Sequence, residues 1–193
     1  MEELPLSMLT KKLTTLLALL TAQRCQTLPS LDLDFMQEID NEIIFTIREK
    51  LKTTKAGKHL PPIKFLSYPE DIRLCPVEHI KFYIGKTKPM RSQSKLLLSY
   101  VKPFKPVTNS TIGRWVKCFL QDSGIDIKHF SAHSSRMASS SYGFLSGLLL
   151  NDVLKAGGWT NAGTFAKHYN KPIGSNFGNS LLNHFNNSDN SQE

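Results

Sequence analysis

Two side chains in the C-terminal half have types and a spacing that suit chemistry on one phosphate group. His133 lies three residues before Arg136 in the run His133-Ser134-Ser135-Arg136, so both share one face of a predicted helix. A guanidinium group is permanently charged and donates paired hydrogen bonds to phosphate oxygens, while histidine exchanges protons near neutral pH. Together they could stabilise a phosphoryl-transfer transition state and move a proton.

A candidate nucleophile, Tyr169, follows Trp159 further along the chain. A phenol can cut a phosphodiester without hydrolysis, because the phosphotyrosyl ester that it forms stores the energy of the broken bond. The Trp159 indole has one N–H donor and no acceptor. It could therefore donate to a phosphate oxygen or support the helix that carries Tyr169. Upstream, Arg24 and the lysine-rich turn at 52–58 add positive charge.

The order of these residues along the chain resembles the catalytic set of the tyrosine recombinases: Arg24, a lysine, His133-x-x-Arg136, Trp159 and Tyr169. The stretch from Trp159 to Tyr169 has tryptophan where bacterial members usually have histidine. In this it is similar to recombinases of the eukaryotic DIRS and Crypton mobile elements. The resemblance covers residues 8–172. It departs from the family at Thr27, where a glutamate is usual, and by one additional residue between Trp159 and Tyr169.

The resemblance implies DNA strand cleavage and rejoining, as in site-specific recombination or integration, through a 3′-phosphotyrosyl intermediate on Tyr169. Arg24 and Arg136 are expected to hold the two non-bridging oxygens of the phosphate, where negative charge collects in the transition state. Such a pair can replace a metal ion, so neither a metal nor ATP nor another cofactor is expected.

The family pattern also implies two groups that transfer protons. His133 is the expected general acid or base toward the phenol. The 5′-oxygen leaving group must gain a proton, and Lys52 is the expected donor because its distance before Leu60-Pro61 matches the family's lysine, turn and strand. Lys55 is the alternative. Each of these residues, taken alone, could serve only the structure, as a core, capping or surface residue. The prediction therefore depends on all of them occurring in the order that the family shows.

The implied architecture is a mainly helical α+β catalytic core with a small antiparallel sheet or hairpin, over residues 1–172. A polar tail, 173–193, would follow, with a candidate exchange helix at 178–185. The expected partners are double-stranded DNA and further copies of this chain, as a tetramer on DNA, and the expected location is nuclear or otherwise intracellular. Family members also clamp DNA with an N-terminal helical domain. This chain is therefore expected to be a fragment, a truncated element or a domesticated descendant.

Two other functions fit the same residues. A non-catalytic, domesticated DNA-binding module derived from such a recombinase would bind DNA without cutting it, and a type IB topoisomerase would relax supercoils by the same chemistry.

A zinc site at His129 and His133 lacks further ligands nearby. A two-metal nuclease site at Asp32, Asp34, Asp40 and Glu42 is disfavoured, because alternating acids on a strand usually face solvent. The chain contains neither a P-loop nor a G-x-S-x-G motif.

Composition agrees with an anionic partner. The 193 residues carry 24 Lys and Arg against 16 Asp and Glu, a formal net charge of +8, and such an excess favours nucleic acid. The hydrophobic fraction of 40% is enough for a folded core. The three cysteines have no short spacing, which favours a reducing compartment. The apolar run at 13–22 is too short to span a bilayer.

The spacing of apolar residues predicts the elements that must position these groups. Leucines at intervals of three and four predict an amphipathic helix that ends near Arg24. Alternation predicts strands at 31–35, 42–51 and 60–66, with the lysine cluster near the hairpin tip and Pro61-Pro62 at an edge or bulge. Further helices are predicted at 76–86, from a cap at Asn109 or Ser110 to Gly124, and at 133–145, 149–156 and 163–170, with Gly157-Gly158 as a break.

Overall fold

The computed structural model describes residues 4–49, 60–129, 131–159 and 162–168. Contacts divide the chain into two units, Met1–Thr160 and Asn161–Glu193. The first unit contains three antiparallel strands and five α-helices among its described residues. In the second unit, the described element is helix α6, Ala162–His168. The expected mainly helical α+β fold with a small antiparallel sheet is confirmed.

Helix α1, Leu6–Thr21, confirms the prediction from the leucine spacing. Its stripe of Leu9, Leu13 and Leu17 is fully buried, because positions three and four apart lie on one face of a helix. The helix ends at Ala22, whose backbone is left-handed with φ 48°. This reversal starts the loop that carries Arg24.

The sheet has the order β1 (Met36–Ile39), β2 (Glu42–Phe45) and β3 (Ile63–Leu66), with both pairs antiparallel. The predicted pairing of the second and third strands is confirmed, although β2 ends at Phe45 rather than at residue 51. Since β3 pairs only with β2 among the described residues, it lies at an edge of the sheet, as the two prolines predicted.

The predicted strand at 31–35 is wrong. Leu33–Phe35 forms a 3₁₀ turn, because the Asp32 carboxylate accepts a hydrogen bond from the Asp34 N–H at 3.1 Å. This local bond competes with strand pairing. The strand begins only at Met36, as the unpredicted β1, and reaches β2 through a tight turn in which Asp40 has φ 49°. Aspartate tolerates this conformation better than most residues do.

The remaining helices lie close to their predicted positions. They are α2 (Pro76–Thr87), α3 (Asn109–Asp122), α4 (Ala132–Leu145) and α5 (Leu150–Gly157). Thr108, rather than Asn109 or Ser110, caps α3, and its side chain accepts from the Thr111 N–H. Ser131 and Ser134 form a reciprocal capping box that fixes the start of α4. His133 therefore lies in a well-defined first turn.

The core lies between α1, the sheet, α2 and α3. Phe45 and Phe65 meet edge to face, with their ring centres 6.2 Å apart. The buried Tyr83 hydroxyl accepts from the Leu98 N–H at 3.1 Å, which joins α2 to the segment before α3. This packing fixes the end of α1, from which the loop with Arg24 emerges. Of the helices that the structure describes, none has the length and apolar character needed to cross a membrane.

Candidate active site

A cleft of about 410 Å³ opens where the loop after α1 meets the first turns of α3 and α4. Arg24 lines it from the loop, and His133 and Arg136 line it from α4. Asn109 and Ser110, at the start of α3, form part of the opposite wall. The structure thus brings together three of the predicted site residues, although Arg24 is remote from the other two along the chain.

Arg136 is the most deeply placed of the three, with 1% of its surface exposed. Its Nη1 donates to the Ala22 carbonyl at 2.6 Å and to the Gly157 carbonyl at 2.7 Å. These carbonyls belong to the C-terminal ends of α1 and α5, where carbonyl groups lack helical partners and a cation is favourable. Arg136 therefore joins the loop of Arg24 to the loop that precedes Trp159.

Trp159 is buried, and the face of its ring lies 3.7 Å from the Arg136 Cζ. This cation–π contact holds the plane of the guanidinium group. This position of the ring requires glycine at residue 157, since a Cβ on Gly157 would stand 1.6 Å from the Trp159 ring. Gly158, with φ 66°, ends α5 in the left-handed conformation. The structure thus shows a bracing contact to Arg136, and the proposed indole donation to a phosphate stays a prediction.

His133 stands exposed on the wall of the cleft, in the first turn of α4. Partial desolvation of the ring lowers its pKa below the ordinary value, and the positive charges of Arg136 and Arg24 lower it further. Both arginines thus act on the same imidazole. The neutral ring is favoured at neutral pH, which suits a group that must accept a proton.

Arg24 lies in a loop that hydrogen bonds hold on both sides of it. The Gln23 side chain donates from Nε2 to the Ala156 carbonyl at 2.5 Å, and the Thr27 N–H donates to the Arg24 carbonyl at 2.8 Å. Within the described parts of the chain, no acceptor bonds to the Arg24 guanidinium. Sequence reasoning missed Gln23, because a polar residue beside an arginine carries no pattern and its contact depends on the fold.

Three of the predicted catalytic residues, Lys52, Lys55 and Tyr169, lie outside the described residues. Their roles stay predictions. The lysine turn falls in the gap between residues 49 and 60, and α6 ends at His168, directly before Tyr169.

The rival metal sites gain no support from the described residues, among which no group of three His, Cys, Asp or Glu side chains could hold a metal ion. His129 Nδ1 lies 3.0 Å from the Asp126 carboxylate. Asp32 forms an ion pair with Lys95 at 3.1 Å. Both side chains thus have structural partners that account for their positions.

No protein-family model and no curated protein matches the sequence. Solved structures do match the fold. One is the XerH site-specific recombinase bound to difH substrate in a pre-cleavage complex, at 13% identity and a TM-score of 0.64. Others are the XerA recombinase, at 16% and 0.59, and a lambda integrase dimer bound to a COC′ core site, at 15% and 0.54.

These alignments cover 94%, 91% and 86% of this chain, but only 48%, 61% and 43% of the respective recombinases. The chain thus spans about half the length of the solved proteins that it matches. At this level of identity, the likeness shows the fold. The chain has the catalytic fold of the tyrosine recombinases.

Proposed function

We propose that this chain is the catalytic domain of a DNA strand-exchange enzyme, which cuts by tyrosine attack and rejoins the strands. The observation that carries the proposal is the meeting of Arg24, His133 and Arg136 at one cleft. A site that holds a phosphate needs converging cationic donors. Further support comes from the fold, since the solved proteins that share it are named as recombinases and an integrase, some of them bound to DNA.

In the proposed reaction, the Tyr169 oxygen attacks the scissile phosphorus and forms a phosphotyrosyl ester, while the bond to the 5′ oxygen breaks. His133 takes the phenolic proton. Lys52, or Lys55 in its place, gives a proton to the departing 5′ oxygen. Rejoining is the same sequence in reverse, with a 5′ hydroxyl as the attacking group and Tyr169 as the leaving group. The bond energy is kept in the ester, so the reaction needs no ATP.

The electrostatics of the cleft suit this proton transfer. Because desolvation and two arginines lower the pKa of His133, its imidazole is neutral and able to accept at neutral pH. After it accepts the proton, the same two positive charges disfavour the imidazolium, so it returns the proton readily for rejoining. Arg24 and Arg136 meanwhile balance the charge on the non-bridging oxygens.

The proposed partners are double-stranded DNA and other copies of this chain. The net charge of +8 and exposed basic side chains such as Lys88, Lys102 and Lys105 favour phosphate contacts, so binding should weaken steeply with salt. A tetramer on two duplexes, with the tail from residue 173 exchanged between neighbours, follows from the resemblance to the family. An origin in a DIRS-like or Crypton-like mobile element and a nuclear location belong to the same proposal.

The test is covalent trapping. The full chain is incubated with a pool of random-sequence duplexes, each nicked so that the cleaved fragment diffuses away and rejoining fails. We expect a protein–DNA band that survives denaturant, is lost in Tyr169→Phe and persists in Tyr142→Phe. Tyr142 is a matched control because it is a tyrosine that is exposed on α4 and does not line the cleft.

Two outcomes would contradict the proposal. An adduct that survives in Tyr169→Phe would assign the nucleophile elsewhere. Binding to the duplexes with no adduct in the wild-type chain would favour the domesticated, non-catalytic binding module.

A further inference from the structure

Gln23 is the residue before Arg24, and its side chain connects the loop after α1, which lines the cleft, to the C-terminal end of α5. Its Nε2 donates to the Ala156 carbonyl at 2.5 Å. Its Oε1 lies 3.5 Å from the Thr27 hydroxyl, which donates to it. The hydroxyl thus holds the amide oxygen on one side, which turns the NH₂ group toward Ala156.

The acceptor of this bond lies at the C-terminal end of α5. The last carbonyls of a helix have no helical partner, and here two consecutive ones are taken by two neighbouring groups. Ala156 accepts from Gln23, and Gly157 accepts from Arg136 at 2.7 Å. The end of α5 is therefore a common attachment point for Arg136 and for the loop of Arg24.

These bonds determine where the Arg24 side chain lies. Ala22 is held by Arg136, and Gln23 is held by α5, so the two backbone positions before Arg24 are fixed to the same structure. Consecutive Cα atoms are 3.8 Å apart, and a shift of Gln23 therefore moves the Arg24 side chain with it. A misplacement of about 1 Å can cost roughly 100-fold in rate.

We propose that Gln23 is a positioning residue, whose bond to the end of α5 sets Arg24 so that it and Arg136 face the same phosphate. This inference rests on the proposed function. Gln23 acts through Arg24 and does not itself touch the reacting atoms.

Two substitutions remove the donor and keep the length of the side chain. Gln23→Met is neutral, and Gln23→Glu keeps an acceptor but places it against the Ala156 carbonyl. Gln121→Met, at an exposed position of α3, is the matched control. We expect both Gln23 variants to form the covalent adduct about tenfold or more slowly at saturating DNA, with DNA affinity within about twofold of wild type.

A merely structural role would give a different result. If the adduct rate fell only in proportion to the folded fraction, measured by circular dichroism, or to the loss of DNA affinity, the proposal would be overturned. Wild-type rates in either donor-lacking variant would overturn it as well, since the donated bond would then be unnecessary.

Hydrogen–deuterium exchange tests the inference without any activity. The Thr27 N–H donates to the Arg24 carbonyl at 2.8 Å, so its exchange reports the order of the Arg24 loop. We expect faster exchange of this amide in Gln23→Met and Gln23→Glu, and no change in Gln121→Met. Unchanged exchange in the Gln23 variants would overturn the inference even where the wild type is active. Absence of an adduct in the wild type would instead contradict the proposed function, and the exchange data would still decide whether Gln23 orders the loop.

Discussion

Two regions of the first unit are held together in different ways. The N-terminal core, residues 6–122, buries mainly apolar side chains, and Leu13 and Phe45 have no exposed surface. The C-terminal layer, residues 132–159, buries Arg136 and two serines beside only two apolar side chains, Val153 and Trp159. Its outer surface instead carries exposed leucines, with 75% of Leu145 and 72% of Leu149 exposed.

The two regions therefore contribute differently, one to stability and the other to the placement of a charged side chain. Apolar burial is non-directional and scales with area, so the N-terminal core supplies stability without requiring one orientation of a side chain. Hydrogen bonds and a stacked ring have fixed directions. The C-terminal layer uses them at Arg136, which places a charged group accurately. The candidate site lies where the two regions meet.

The largest expected effect comes from a cavity in the N-terminal core. Leu13→Ala should lower the free energy of unfolding by about 3 kcal/mol, because it removes buried methyl groups that the neighbours cannot replace. The exposed Leu145→Ala, in the C-terminal layer, should change it by less than about 0.5 kcal/mol. Urea denaturation followed by circular dichroism measures both. Equal losses would remove the distinction between the two regions.

A smaller loss of stability, with a larger effect on the site, is expected for Gly157→Ala. The new methyl group would stand 1.6 Å from the Trp159 ring, so the ring must leave its position under Arg136, at a cost of about 1–3 kcal/mol. Near-ultraviolet circular dichroism measures the change in the environment of the tryptophan ring, and covalent trapping measures the activity.

Gly85→Ala in α2 is the control, since nothing lies within 4 Å of a Cβ there. It should stabilise the helix by about 0.5–1 kcal/mol. An unaltered tryptophan signal with full activity in Gly157→Ala would show that the ring does not depend on this glycine.

Much of the fold could be predicted because its signals are local. The leucine spacing of α1 and the glycine pair at the end of α5 predict their elements from neighbouring residues alone. The 3₁₀ turn at Leu33–Phe35 could not be predicted, since one Asp32 side-chain bond decides between strand and turn. The cap of α3, Thr108, lies one or two residues before the predicted Asn109 or Ser110, because several adjacent polar side chains could serve.

The candidate site, too, could be predicted only in part from the sequence. The order of Arg24, His133 and Arg136 resembles the family's catalytic set, and this resemblance predicts that the three side chains lie together. All three line one cleft, which agrees with the prediction. The stacking of Arg136 on Trp159 and the bond from Gln23 to Ala156 depend on tertiary contacts between distant segments. No spacing in the sequence indicates such contacts. The roles of Lys52, Lys55 and Tyr169 stay predictions.

The central claim is that Arg24 and Arg136 converge on the position of His133, and a titration of that histidine tests it most directly. Nuclear magnetic resonance of the His133 ring should give a pKa below the ordinary value of 6.5, because partial desolvation and both arginines disfavour the imidazolium. Arg24→Gln removes one of these charges, so the pKa should rise toward 6.5.

Arg48→Gln is the matched control, because it removes the same charge at an exposed arginine that stacks on Phe35. It should leave the titration of His133 unchanged. A pKa that rises in Arg24→Gln but not in Arg48→Gln would support the convergence of the two arginines. A pKa that stays the same in Arg24→Gln would place Arg24 away from the cleft and contradict the account.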